Sequence, residues 1–357
     1  MSEKTSRVDW IDYLKGIGII LVVIGHCFLP PDARKWIYSF HMPLFFLAAG
    51  LTLNPKSYTN INDFLKKKAV GLLIPYLAIN LCTIATWIVF NKILNESVVS
   101  FPTLIYGILY ANNDKVPLLC GPSWFIPTLF LSQLVFYIMH RIFEGNTKSL
   151  FCASMALTVL GYIESVAANG VIRPWHFASV PVAVLFVCVG FLFASAYREK
   201  SYQGIIQKVS WKWVIGLLVL GTWAALVNGK VSFGGNNYKS MILTMTASFS
   251  LIFATIFFSM KIPKNKFLSF AGRCSLIWLA LHKTIIFWIR DMWPSTQENY
   301  LSSLKGMVVL FAIMIPLSFI IERYFPFFVG KKSKQITNKI GLLFYSALTV
   351  ILCVIYF

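Results

Sequence analysis

Long apolar runs separated by short polar connections dominate this chain. Their lengths are those of helices that cross a hydrocarbon core of about 30 Å, which takes about 20 residues. Such runs lie near 12–29, 40–54, 70–91, 122–140, 149–168, 178–197, 213–228, 241–260, 272–290, 304–321 and 340–357. A further apolar piece near 101–111 is too short to cross and reads as interfacial. The pattern predicts an all-α, polytopic integral membrane protein with about 10–11 transmembrane helices. No connection is long and polar enough to form a soluble domain, so residues 1–357 read as one transmembrane domain. The first run is flanked by Asp9 and Asp12 and lacks a small-residue cleavage pattern, so it is expected to stay as a helix rather than be removed as a signal peptide.

Composition agrees with this reading. Hydrophobic residues make up 57% of the chain and charged residues 13%, and the mean hydropathy is +0.71, too apolar for a single core under a charged surface. The net charge of +19 would suit nucleic acid only if the basic residues gathered on one soluble face. They do not. Alternate connections between the apolar runs, beginning with the N-terminus, hold 22 of the 32 Lys and Arg. That alternation is the positive-inside signature, and it predicts a cytoplasmic N-terminus in the plasma or inner membrane, with membrane lipids and no nucleic acid as partners. The seven cysteines show no CxxC spacing and lie mostly in apolar runs, so packing is expected of them and no metal site.

Ionisable residues inside such runs ask for a reason, because burying a charge in hydrocarbon is expensive. The first run reads "DYLKGIGIILVVIGHCFLPP", with Lys15 near its start and His26 near its end. Eleven residues on a helix return to within about 20° of the same face and rise about 16 Å. Lys15 and His26 therefore share one stripe, with Asp12 one turn below Lys15, and Gly16, Gly18 and Gly25 allow close approach of a neighbour. Lys15 also admits a simpler account, snorkelling to the interface beside Asp12. "FHMPLFFLAAGLTL" places His41 just ahead of Pro43 at the start of the next helix. A hairpin of these two helices brings His26 and His41 toward the same outer half of the membrane, where an imidazole can exchange protons near neutral pH.

Three other stretches carry candidates. "GPSWFIPTLF" offers Trp124 at an outward-facing helix start, "AGRCSLIWLALHKT" carries Arg273 and places His282 near the depth of His26, and "IERYFPFF" sets Glu322 and Arg323 at a cytoplasmic helix end. There Glu322 and Arg323 could pair with each other or bind something charged.

In order along the chain, "RVDWIDYLKGIGIILVVIGH", "FHMPLFFLAAG", the basic run leading to "LLIPY", "WFIPTL", "SLIWLALH" and "IERYFP" resemble the acyltransferase family 3 membrane proteins, the fucose-4-O-acetylase-like group. The family's usual arginine is lysine at position 15, which keeps the charge and loses bidentate binding. The resemblance implies transfer of an acetyl or other acyl group from cytoplasmic acyl-CoA to a hydroxyl of a cell-surface or lipid-linked saccharide or glycopolymer. Acetyl-CoA would be the donor substrate, with no permanently bound cofactor. On this reading Lys15, His26 and His41 are catalytic. Asp12, Trp124, His282, Lys67, Lys68, Arg273 and Glu322 bind substrate, the basic residues meeting the anionic donor and His282 and Trp124 lining the pocket. A secondary transporter or flippase for a glycolipid would also carry intramembrane ionisable residues, although no inverted repeat is evident, and a non-catalytic sensor is a third class.

Overall fold

In the computed structural model the described residues are 8–93, 100–111, 121–168, 171–199, 204, 208–297 and 299–325. Among them the regular structure is helical, with one isolated bridge between Ser232 and Asn237 in a connection. The helices are α1 (Asp9–Gly25), α2 (Pro31–Tyr38), α3 (His41–Thr52), α4 (Ile61–Lys68), α5 (Ile74–Ile93), α6 (Phe101–Tyr110), α7 (Phe125–Ile142), α8 (Thr147–Ala167), α9 (Val180–Arg198), α10 (Trp211–Asn228), α11 (Met241–Lys261), α12 (Lys266–Arg273), α13 (Ser275–Met292) and α14 (Tyr300–Tyr324).

Seven stretches among the described residues are long and apolar enough to cross a membrane: Ile61–Ala85, Gly121–Ile142, Thr147–Ala167, Pro174–Arg198, Trp211–Asn228, Met241–Lys261 and Tyr300–Tyr324. The pair α12 and α13 makes an eighth if it is taken as one span bent by 79°. The first two expected runs become the shorter helices α1 and α3, of 17 and 12 residues, and both are mostly buried by other helices. At 1.5 Å per residue α3 reaches only about 18 Å, so it is a central strut and not a full crossing. The run expected near 340–357 lies outside the described residues.

Two features depart from the hydropathy pattern. The connection after α1 forms its own helix, α2, with Pro31 at its first position, where the missing N–H is no loss. The run expected at 272–290 is broken, since Cys274 closes α12 and opens α13. Polar side chains set several helix starts. Asn60, Asn146, Ser240, Asn265 and Asn299 each accept a hydrogen bond from a backbone N–H in the first turn that follows.

Close packing fixes α1 and α3 at the centre. A Cβ on Gly16 would run into the Leu268 carbonyl of α12, and one on Gly272 into the Asp12 carbonyl of α1. Gly50 of α3 and Gly190 of α9 meet through a second reciprocal contact, against Val187 and Leu47. Without a hydrophobic driving force between helices in lipid, such backbone approach is what lets dispersion hold them together. The backbone N–H of Asn265 also donates to Tyr13 Oη at 3.1 Å, tying the start of α12 to α1.

Candidate functional site

α1 carries candidate chemistry at both ends, its N-terminal end being called inner and its C-terminal end outer after the topology expected from the sequence. At its outer end His26 is the residue that closes the helix, and the Pro30–Pro31 pair that follows turns the chain into α2. Arg34 of α2 donates through Nη2 to the Cys27 carbonyl at 3.2 Å, fastening α2 across the end of α1. α2 then delivers Tyr38, whose ring lies 6.1 Å from His26 and 5.0 Å from His41.

His41 and His282 are held alike. His41 Nδ1 is 2.7 Å from the Ile37 carbonyl, and His282 Nδ1 is 2.8 Å from the Trp278 carbonyl, each four residues back. A carbonyl only accepts, so each Nδ1 carries the proton and each Nε2 presents a lone pair. The His282 Nε2 is buried and has no hydrogen-bond partner among the described residues. The nearest described imidazole ring is that of His26, 5.0 Å away between centroids.

A cavity of about 260 Å³ opens beside this group. His26, Tyr38, His41, Trp124, His176 and Lys283 line it, and Ser232, Phe233, Gly234 and Gly235 form its outer wall. Trp124 is the last residue of the short turn Gly121–Trp124 that precedes α7, and its ring lies 5.1 Å from that of His176. Gly234 packs flat against that indole, where a side chain would collide with it. His176 Nδ1 is 2.6 Å from the Gly234 carbonyl and its Nε2 3.2 Å from the Ala111 carbonyl, so the imidazole clamps two loops together. Its backbone, with that of Trp175, is left-handed at φ 48° and 53°, an unusual state for side-chain-bearing residues.

The inner end of α1 is charged. Asp12 is buried there, beside the close contact with Gly272. Lys68, the last residue of α4, donates through Nζ to Gln133 Oε1 of α7 at 2.5 Å and lies close enough to Lys15 for each to feel the other's charge. Arg273 donates to Ser269 Oγ at 3.0 Å at the α12–α13 bend. Glu322 of α14 reaches the same bend, with Cys274 Sγ 3.7 Å from its Oε2.

The sequence candidates thus fall into two groups. His26, His41 and Trp124 share the outer cavity. His282, expected on its wall, instead sits fully buried behind His26. Asp12, Lys15, Lys68, Arg273 and Glu322 gather at the inner end. Lys67 stands apart, its Nζ 2.9 Å from Asp63 on the exposed side of α4. Glu322 faces the bend, while the Arg323 guanidinium lies over the Tyr324 ring, 5.5 Å from its centroid. Sequence reading missed Arg34, Tyr38, His176 and Lys283. The signal for Lys283 was present, since it is a second ionisable residue within the same apolar run as His282.

Comparison with known proteins adds an independent line. A family model described as an acyltransferase domain matches residues 8–323. The nodulation protein NolL of Mesorhizobium japonicum is 29% identical over 244 residues, covering 63% of this chain and 58% of that protein. The NolL of Sinorhizobium fredii is 27% identical over 250 residues, covering 64% of this chain and again 58% of the relative. The matches therefore span less than two thirds of the length of these curated relatives. No solved structure matches.

Proposed function

Given that the chain belongs to the acyltransferase domain family, we propose that it is a membrane O-acyltransferase that moves acetyl from cytoplasmic acetyl-CoA to a hydroxyl of a cell-surface or lipid-linked saccharide. One observation carries the reading: a single helix bears a cation cluster at one end and, at the other, a cavity walled by imidazoles.

The anionic donor docks at the inner end against Lys15, Lys68 and Arg273, with Asp12 and Glu322 holding those cations in place. Its thioester arm extends along α1 toward His26, and the acceptor enters the outer cavity. His26 takes the proton from the acceptor hydroxyl, whose oxygen attacks the thioester carbon. A carbon–oxygen bond forms, the carbon–sulfur bond breaks, and the proton passes from the imidazole to the departing thiolate. His41 presents its Nε2 lone pair to the cavity and orients the acceptor, while Trp124 supplies an apolar face for a sugar ring. His282 works from behind. Its unpartnered Nε2 lone pair stands beside His26, the ring centroids 5.0 Å apart, and a small approach when the acceptor binds lets it accept one His26 ring N–H and keep the other nitrogen free as a base.

Protein reconstituted in vesicles with labelled acetyl-CoA and cell-envelope saccharide tests the proposal. Label should appear in saccharide with wild type and not with His26→Ala, while His26→Ala still binds acetyl-CoA. Label transfer at the wild-type rate by His26→Ala would refute the assignment. The orientation has its own check. Cysteines placed at the exposed positions Lys230 and Pro294 should react with an impermeant maleimide from outside the cell, and those at Asn60 and Lys264 should not.

A further inference from the structure

The outer cavity carries a cation and lacks anions. Among the described residues its lining includes Lys283, three histidines, Tyr38 and Ser232, and no carboxylate or carboxamide. Lys283 is exposed at the rim, so its ammonium group can swing over the opening. Arg34 adds a second fixed positive charge within electrostatic reach of His26, and its buried Nε has no hydrogen-bond partner. Among the described residues neither cation has a carboxylate at ion-pair distance. Of the carboxylates on that side, Asp32 and Glu164 pair with Lys35 and Arg173, and Asp291 lies about two turns beyond Lys283 on α13.

That balance discriminates between kinds of occupant. A neutral sugar presents hydroxyls, which the imidazoles, the phenol and the Ser232 hydroxyl can satisfy, and it gains nothing from an unpaired cation. A phosphate or carboxylate only accepts, and a cation beside a partly enclosed cavity attracts it more strongly than it would in open water. We infer that the outer cavity holds an acceptor bearing an oxyanion, a phosphate or a carboxylate, with Lys283 as its counter-cation and its reacting hydroxyl directed at His26. The inference rests on the acyltransferase reading for what happens to the hydroxyl, and on the cavity alone for the charge.

Binding separates the two. Three dodecyl probes that differ only in the head group, a neutral glucoside, a glucuronide and a phosphate-linked glucose, are titrated against the full-length protein in phosphatidylcholine nanodiscs. Both charged probes should bind roughly 10-fold tighter than the glucoside, on the scale expected of one partly screened ion pair. Lys283→Gln should erase the difference and leave glucoside affinity unchanged, and Lys283→Arg should keep most of it. Equal affinity for all three probes in wild type, or equal weakening of all three by Lys283→Gln, would overturn the inference. Discs doped with phosphatidylglycerol test the other source of the same chemistry: displacement of the charged probes by that lipid, dependent on Lys283, would assign the oxyanion to a head group and overturn the acceptor assignment. Acetyl transfer is scored separately in the same discs. Charge-selective binding without transfer would remove the acyltransferase reading and leave the oxyanion site, and transfer with charge-blind binding would do the reverse.

Discussion

The two ends of α1 solve opposite problems. At the inner end, cations and carboxylates stand together around a contact so tight that Gly16 and Gly272 admit no side chain. At the outer end the helix stops at His26, and the groups around the cavity are imidazoles, a phenol, a lysine and bare backbone. The first is a rigid, compensated assembly suited to gripping a donor of fixed shape. The second keeps proton acceptors and an uncompensated charge facing an opening, as a site for variable chemistry requires.

The largest expected effect attacks the rigidity of the inner end. Gly272→Ala should cost the fold about 1–3 kcal/mol, because the new methyl meets main chain that cannot yield. Gly216→Ala on α10, where an added Cβ meets nothing within 4 Å, is the matched control and should change stability little. Thermal unfolding in detergent reads both, and equal midpoints for the two variants would dissolve the contrast in packing.

Next comes the outer chemistry. His26→Gln can hydrogen-bond but cannot act as a base near neutral pH, so acetyl transfer should fall by a factor of about 10²–10⁴ with donor binding intact. A wild-type rate across pH 6 to 8 would move the role of base to His41. His282→Ala should cost less, on the order of 10-fold in kcat with little change in KM, because it acts through His26 and touches no substrate. His282→Asn should recover part of the loss, since its carbonyl can accept from His26. A KM effect for the acceptor in place of a kcat effect would return His282 to the cavity wall.

The smallest effects sharpen the inner end. Lys68→Ala should raise KM for acetyl-CoA by roughly 10-fold, the scale of a lost charge-assisted contact. Lys15→Arg should retain activity that Lys15→Ala loses. Lys67→Ala should fall within 2-fold of wild type, since exposed pairs such as Lys67 with Asp63 contribute roughly 0–1 kcal/mol. If Lys67→Ala proves as harmful as Lys68→Ala, the donor runs along the exposed face of α4.

What could be read in the sequence followed from how local each relation was. Lys15 and His26 lie on one helix, so their shared stripe needed only the helical repeat, and the apolar runs located most of the helices for the same reason. Hydropathy sums composition over a window and is blind to bends, so the break at Cys274 and the separate helix α2 were hidden. Adjacent residues on a helix differ by 100°, and this is why His282 can face the core while Lys283 faces the opening. Which of them faced the cavity depended on the placement of α1. His176 was the least legible, because its role comes from carbonyls of Ala111 and Gly234, about 60 positions away on either side.

Of the four outer-wall residues 232–235, the two glycines offer the pocket main chain alone. A surface of that kind records little about which side chains occupy it and much about how long the connection is. Lengthening or shortening the loop between α10 and α11 would remould the entrance while leaving His26, His41 and Lys283 where α1, α3 and α13 hold them. Diversification of the pocket across such proteins can then proceed by insertion and deletion in one loop.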